Sequence, residues 1–167
     1  VIGQDRIKKK LVAAVKAGRV SHAQMLISQE GNGGLALALA YATYLSCTNK
    51  GDDDSCGSCP SCKKYAKLEH PDLHLFFPNN TTTKVKKASS GALVKEWRKS
   101  VLEDPYLNQQ DWLHSVDIGN KQGILGERDS AEIVATTNLK KYESDYRIVV
   151  IWMAEKMNQS CSNKILK

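Results

Sequence analysis

The chain has 167 residues, of which 41% are hydrophobic and 25% are charged. This length and composition are typical of an ordinary soluble protein with one domain and its own core. Because no run of about 18 apolar residues occurs, a membrane-spanning helix is excluded as well. The first ten residues lack the order of a signal peptide, so we expect a cytoplasmic protein. The net charge of +6 comes from scattered lysines and favours a solvated basic surface over a nucleic-acid site.

The first third of the chain predicts a helix, a strand, a turn and a second helix. Apolar residues at helical spacing predict a surface helix over residues 7–15 with one buried face. Residues 24–27 predict a short buried strand, residues 31–34 a glycine-rich turn, and residues 35–46 a helix rich in Ala and Leu. A glycine turn between a strand and a helix is the arrangement that a phosphate-binding loop requires.

The middle of the chain predicts a second strand within "HPDLHLFFP", followed by a mobile loop over residues 79–91 that shows no periodicity. Residues 92–104 predict a helix whose apolar side contains Leu93, Val94, Trp97, Val101 and Leu102. From there to Gly126 the sequence predicts irregular structure.

The last part of the chain predicts a helix over residues 130–141 and a strand over residues 147–151. The continuous apolar run "RIVVI" is typical of a buried parallel strand. A further helix begins near residue 160. Strands that alternate with helices predict an α/β fold, with a parallel sheet flanked by helices.

Four of the five cysteines lie close together in a C-x8-C-x2-C-x2-C pattern: Cys47, Cys56, Cys59 and Cys62. Thiolates at short intervals around tight turns can enclose one zinc ion at about 2.3 Å from each sulfur. Gly57 and Pro60 favour such turns. Because four sulfurs leave no open coordination position, the pattern predicts a structural zinc module over residues 47–62.

Two alternatives to zinc stay open, namely free buried cysteines and an iron–sulfur cluster. A ferredoxin pattern requires a further Cys shortly after the third, where residues 63–66 read Lys-Lys-Tyr-Ala. His70 and His74 are spare imidazoles nearby, and we interpret Cys161 as a structural thiol in a helix.

The glycine-rich stretch "SQEGNGGLALALA" resembles a phosphate loop that lacks its chemical groups. Aligned with G-x-x-x-x-G-K-[ST], Ser28 takes the first glycine position and Gly33 the second, with Gly31 between them. The lysine that reaches the phosphates is replaced by Gly34, and the hydroxyl residue that binds Mg²⁺ is replaced by Leu35. The sequence predicts that the turn is kept without its nucleotide chemistry.

The second half of such a site, an acidic pair after a later apolar strand, is also altered. After "RIVVI" the metal-holding position is Trp152 and the next is Met153. Glu155 lies three residues beyond the place of the metal-holding Asp, and we interpret it as a surface helix residue. We further expect Trp152 to fill the space that metal and phosphate would take.

The order of these segments resembles the bacterial clamp-loader subunits, which are AAA+ proteins of the DNA polymerase III holoenzyme. The resemblance rests on "HAQMLISQEGNGGLALALA", the cysteine module, "HPDLHLF" and "RIVVIWMAEKMNQSCSNKILK", and covers about residues 1–78 and 130–167. In the gamma/tau motor subunits both halves of the ATP site are intact, whereas in delta-prime subunits both are typically degenerate. The chain is therefore similar to the delta-prime subunits, and the zinc module after the phosphate-loop helix is the most specific element.

The resemblance implies that residues 1–167 are the N-terminal AAA+ domain of a longer protein, with residues 79–129 as a variable insert. The lid, the collar and the Ser-Arg-Cys motif of delta-prime subunits are missing from this stretch. The resemblance also implies a non-hydrolysing stator beside the gamma/tau and delta subunits, which helps load the sliding clamp onto primer-template DNA. Zinc is then the expected cofactor, and neither ATP nor Mg²⁺ is expected.

Two other functions stay open. An active AAA+ ATPase could use Glu155 as its catalytic acid, although the missing lysine and hydroxyl disfavour this. A free-standing zinc-dependent DNA-binding module is favoured by the positive charge, and steeply salt-dependent DNA binding would reveal it.

Overall fold

The computed structural model describes residues 1–166. Within them the helices and strands are, in chain order, α1 (Asp5–Lys16), α2 (Gly34–Ser46), α3 (Pro60–Tyr65), β1 (Leu73–Phe76), α4 (Val94–Glu103), α5 (Gln109–Ser115), α6 (Glu127–Thr137), β2 (Ile148–Ile151) and α7 (Gln159–Ile165). Short 3-10 helices span Gly91–Leu93 and Ala154–Lys156. In this described part of the chain, every helix is too short or too polar to cross a membrane.

The two strands form a parallel sheet that is covered by helices on both faces. The register pairs Leu73 with Ile148 at one end and Phe76 with Ile151 at the other. Successive side chains of a strand point to opposite faces, and those of β1 accordingly enter two apolar clusters. The larger cluster joins Leu73 to residues of α2, α3, α4 and α5, and the smaller joins Phe76 to residues of α6 and α7. The predicted α/β class, with a small parallel sheet and flanking helices, is confirmed.

Helix α2 is the most deeply buried helix beside the sheet. Its sequence, GLALALAYATYLS, places apolar side chains on all sides, and eight of its residues are buried. The helix begins after Gly33, whose φ of 79° is a left-handed conformation that glycine adopts without strain. Helix α1 is also present as predicted, but its apolar face is only half-buried, and none of its residues is fully buried.

The predicted buried strand at residues 24–27 is wrong. This segment has no regular secondary structure, and Met25 and Ile27 are 81% and 89% exposed. An apolar run becomes a strand only where the backbone of another strand can pair with it. In the described residues β2 pairs with β1 alone, so no strand neighbours the segment.

Residues 80–90 lack regular secondary structure, as predicted for a loop, but hydrogen bonds to other segments hold both ends of this loop. Asn79 pairs its backbone N–H and C=O with those of Ile124 at 2.9 and 3.1 Å. The buried Asp129 carboxylate accepts hydrogen bonds from the N–H and the hydroxyl of Ser90, each at 2.7 Å, and from the Asn79 amide at 3.1 Å. Polar residues suggested a solvated loop, but their hydrogen bonds are made inside the protein.

Other element boundaries differ from the predictions in smaller ways. Helix α5 lies where irregular structure is predicted, because its seven residues are too few to show a helical period. Its N-terminus is capped by the Asn108 side chain, which accepts the N–H of Asp111 at 2.9 Å. Helix α6 begins at Glu127 rather than at residue 130. Leu102, predicted to face the core, is 51% exposed, and β2 is half-buried rather than fully buried.

Three aromatic residues join the 79–129 insert to the end of β1. The rings of Phe77 and Trp97 are stacked with centroids 4.7 Å apart, and Trp112 meets Phe77 edge-on at 5.2 Å. The buried Trp112 indole N–H donates to the carbonyl of Pro78 at 2.7 Å. Helices α4 and α5 therefore pack over the carboxyl ends of the strands.

Candidate functional site

The four clustered cysteines come from three consecutive pieces of backbone. Cys47 follows the last residue of α2, Cys56 and Cys59 lie in the turns that follow, and Cys62 lies in the first turn of α3. All four Sγ atoms lie within 4.8 Å of one another. The Sγ–Sγ distances are 3.6 Å for Cys47–Cys56 and 4.0 Å for both Cys56–Cys62 and Cys47–Cys59.

This arrangement fits a single zinc ion. A tetrahedron with metal–sulfur distances of about 2.3 Å has sulfur–sulfur edges of about 3.8 Å, close to the observed spacing. Backbone N–H groups of Cys56, Cys59 and Cys62 each donate to the preceding cysteine sulfur at 3.4 Å. Such donors stabilise thiolates, and all five cysteines of the chain are free thiols.

The electrostatics of the cluster also favour a cation. The backbone N–H of Cys62 lowers the pKa of Cys59 to about 5, whereas burial raises the pKa of Cys62 itself to about 12. Four thiols this close cannot all ionise near neutral pH unless a positive charge offsets their mutual repulsion. A zinc ion supplies that charge and would hold all four as thiolates.

The cysteine module is fastened to the rest of the domain through α3. The Tyr65 hydroxyl lies 2.8 Å from the Ser46 hydroxyl, and the Lys64 ammonium lies 2.6 Å from the Glu143 carboxylate. Glu143 belongs to the loop that leads into β2. The module is thus held against both α2 and the amino end of the sheet.

His70 and His74 do not join the cysteines. The fully buried His70 ring accepts the N–H of Asp72 at Nδ1, 3.1 Å away, and its Nε2 lies 3.1 Å from the Glu143 carboxylate. Burial lowers the pKa of both histidines. The Nδ1 contact fixes the His70 ring beside Asp72, whereas Nε2 makes no hydrogen bond among the described residues despite its proximity to Glu143.

Asp72 is an important residue that the sequence analysis missed. Its buried carboxylate accepts backbone N–H groups of Tyr142, Glu143 and Ser144 at 2.7, 2.9 and 2.9 Å. These partners are about 70 positions away in sequence, so no local pattern could reveal them. Asp72 and Glu143 together fix the loop that positions the cysteine module.

In the glycine-rich loop, a side chain at position 34 would collide with a neighbouring residue. A Cβ on Gly34 would clash with the Ser28 hydroxyl, and Leu35 is buried in the larger apolar cluster. Gly31 and Gly33 both have left-handed φ angles, 76° and 79°. The loop therefore bends through two left-handed glycines, and an uncharged Gly34 and a buried Leu35 follow the bend.

The residues after β2 also differ from those of an intact nucleotide site. Trp152 packs against the larger apolar cluster, with its ring 6.2 Å from that of Trp97. Met153 has a left-handed φ of 55°, and Glu155 is exposed on the following 3-10 helix. The segment after β2 thus contains an indole, a thioether and a solvent-facing carboxylate, where an intact nucleotide site would have an acidic pair.

Comparison with known proteins gives one family and several relatives. The family model described as "DNA polymerase III, delta subunit" matches residues 3–167. The DNA polymerase III subunit delta' of Bacillus subtilis (strain 168) is 37% identical over 100 residues, which cover 60% of this chain and 30% of the relative. The delta' subunit of Escherichia coli (strain K12) is 37% identical over 70 residues, covering 42% and 21%.

A gamma/tau subunit matches a shorter region. The DNA polymerase III subunit gamma/tau of Mycobacterium tuberculosis (strain ATCC 25618 / H37Rv) is 33% identical over 66 residues, covering 40% of this chain and 11% of the relative. The alignments to all three relatives cover less than a third of the relative's length.

Proposed function

Because the chain belongs to the DNA polymerase III delta subunit family and is a delta-prime clamp-loader sequence, we propose that it is the non-hydrolysing stator of a bacterial clamp loader. Residues 1–167 supply its N-terminal AAA+ domain, and the lid and collar belong to other parts of the longer protein. In the cytoplasm it joins the gamma/tau motor subunits and the delta subunit. Together they load the sliding clamp onto primer-template DNA.

The absence of ATP-binding groups supports a stator rather than a motor. Phosphoryl transfer depends on a lysine and a metal ion that offset charge on the phosphates. At these places the chain has Gly34, Leu35 and Trp152, none of which carries charge. The Ser28 hydroxyl and the apolar cluster fill the adjacent space. We therefore expect neither ATP nor Mg²⁺ as a cofactor.

Structural zinc at Cys47, Cys56, Cys59 and Cys62 is part of the same proposal. It is supported by the Sγ separations and by the backbone N–H groups that point at the sulfurs. The ion would brace the end of α2 against α3, and no reaction step requires it.

Nucleotide titration of the full-length protein tests the stator role. Calorimetry with Mg-ATP should give no saturable heat, and phosphate release should not exceed the background of the buffer. Glu155→Gln is the matched control and should behave like the wild type. ATP turnover by the wild type that disappears in Glu155→Gln would instead show an active motor.

A reconstituted clamp loader tests the partners. Assembly of the full-length protein with gamma/tau and delta should yield ATP-dependent clamp loading on primed DNA, with all turnover in the gamma/tau subunits. If loading proceeds equally well without this protein, the proposed role is wrong.

A further inference from the structure

The glycine-rich loop is covered by a turn from the 79–129 insert. This turn, residues 104–109, runs from the end of α4 to the first residue of α5 and is called the tyrosine turn here after Tyr106. A Cβ placed on Gly33 would lie only 2.8 Å from Cε1 of the Tyr106 ring. A Cβ on Gly31 would lie 3.8 Å from the Tyr106 carbonyl oxygen. Tyr106 therefore lies directly on two of the three glycines of the bend.

Hydrogen bonds of its backbone and of its hydroxyl hold Tyr106 in place. Its N–H donates to the Asp104 carboxylate at 2.8 Å, and its hydroxyl accepts the N–H of Ile2 at 2.8 Å. The next residue, Leu107, is buried in the same apolar cluster as Leu35 of α2. The glycine-rich loop, Ile2 near the N-terminus and the larger apolar cluster thus meet at this turn.

The glycine-rich loop contributes a contact of its own. The Glu30 carboxylate accepts the N–H of Gln109, the first residue of α5, at 3.2 Å. Gly33 is buried although residues 28–32 are exposed. The loop and the turn therefore touch through two glycines and one carboxylate.

The position of the ring matters because of what it covers. The first N–H groups of a helix have no partners within the helix, and the start of α2 is where a phosphate loop would present such groups to an anion. An aromatic ring carries no negative charge to interact with them. The tyrosine turn takes the space in front of the bend, while Trp152 packs into the core at the end of β2.

We propose that the tyrosine turn is a built-in plug that holds the glycine-rich loop closed and excludes phosphate-bearing ligands. The plug rests on the proposed stator function and deepens it, but the stator function alone does not imply a plug. A loop without lysine and hydroxyl could still stay open and bind anions weakly through its backbone. The proposal gives the insert a role, which is to replace the nucleotide as the group that orders the loop.

Hydrogen exchange on the full-length protein tests the plug. Tyr106→Ala should speed amide exchange in residues 29–37 by at least about tenfold, while exchange in β1 stays unchanged. Tyr106→Phe keeps the ring over Gly33 and loses only the hydroxyl contact, so its loop should stay protected. Unchanged loop exchange in Tyr106→Ala would overturn the plug and leave the stator function intact, whereas ATP turnover by the wild type would overturn the stator function.

Ligand exclusion is measured in the same experiment with inorganic tripolyphosphate as the probe. At millimolar concentration it should leave loop exchange in the wild type unchanged. If it slows loop exchange in the wild type, the loop is open to phosphates and the plug is wrong.

A double-mutant cycle tests the contact between Tyr106 and Gly33 directly, in case Tyr106→Ala unfolds the loop for another reason. Gly33→Ala suffers both backbone strain and a clash with Tyr106, whereas Gly18→Ala suffers strain alone, since Gly18 has a φ of 65° and open space around it. Removing the Tyr106 ring should therefore recover part of the stability lost in Gly33→Ala and none of that lost in Gly18→Ala. Equal recovery at the two glycines, or none at either, would contradict the contact.

Discussion

At the scale of single residues, Asp72 shows how one buried charge organises a distant loop. Burial on its own raises the pKa of this carboxyl, but the N–H groups of Glu143, Tyr142 and Ser144 outweigh that effect and hold it below its ordinary value. The loop before β2 would otherwise leave these three N–H groups without partners. Asp72 thus couples the turn before β1 to the segment that anchors the cysteine module.

Asp72→Asn should lower the free energy of unfolding at pH 7 by about 2 to 3 kcal/mol, since hydrogen bonds to a charged acceptor are lost. The pKa of Asp72 is lower in the folded state than in the unfolded state. The stabilisation by its carboxylate is therefore fully present above the unfolded pKa of about 3.9, and it is lost as the pH falls through the folded-state pKa. The difference between wild type and variant should therefore shrink below about pH 4. Urea titrations at several pH values measure this.

The exposed Asp53 provides the control for that experiment. Asp53→Asn should change the stability at pH 7 by less than about 0.5 kcal/mol. A difference between wild type and Asp72→Asn that stays constant from pH 7 to pH 3 would contradict the assigned role of the charge.

At the scale of secondary-structure elements, the strongly patterned segments were predictable and the others were not. The apolar run of α2, the spacing of Trp97 and Val101 in α4, and the run "RIVVI" identified their elements because each pattern reflects local burial. Residues 24–27 have the same kind of apolar run, but strand formation also depends on a partner strand, which no local pattern records. The α4–α5 packing depends on contacts between Phe77, Trp97 and Trp112 that span the insert.

The same limit applies to the candidate sites. The cysteine cluster could be predicted because its four members lie within a short stretch, so spacing alone brings them together. Tyr106, Asp72 and Glu143 could not, since each acts on residues about 70 positions or more away. Only the folded chain shows that the insert reaches the glycine-rich loop.

Trp97→Ala should be among the most destabilising single changes in α4. Its ring is fully buried and stacked on Phe77, so truncation should cost about 3 to 5 kcal/mol. Trp97→Phe should cost clearly less, because it keeps an aromatic ring and removes an indole N–H that has no hydrogen-bond partner among the described residues. Chemical denaturation of the variants measures the ranking.

Leu102 on the same helix is the control for Trp97. It is 51% exposed, and Leu102→Ala should cost less than about 1 kcal/mol. Equal losses at the two positions would mean that α4 does not pack against Phe77 as described.

At the scale of the whole molecule, the sheet, the insert and the cysteine module form one connected structure. The sheet lies between two layers of helices, the insert covers the carboxyl ends of its strands, and the module is fixed near their amino ends through Lys64 and Glu143. Because α2 runs from the glycine-rich loop to Cys47, it links the two ends directly.

Removal of the metal should therefore weaken the whole domain. An ion present at about a hundred times its dissociation constant stabilises the folded state by about 2.7 kcal/mol, so chelation should lower the Tm by roughly 5 to 10 °C for a domain of this size. Elemental analysis should find about one zinc per chain in the wild type, and calorimetry with and without EDTA measures the shift.

Cys62→Ser and Cys161→Ser form the matched pair for this experiment. The first removes a ligand and should hold less than half an equivalent of zinc, with a Tm insensitive to EDTA. The second changes a buried thiol in α7 and should keep its zinc. Iron in the preparation, or equal zinc in both variants, would contradict the assignment.

The exposed segment at residues 24–27 has a practical consequence for handling the protein. Met25 and Ile27 present apolar side chains to solvent, and β2 is only half-buried. Unpaired strand edges and exposed apolar runs are recognised sources of aggregation. The net charge of +6 opposes association between copies at low ionic strength, but salt screens that repulsion. We therefore expect residues 1–167, prepared by themselves, to become less soluble as salt is added.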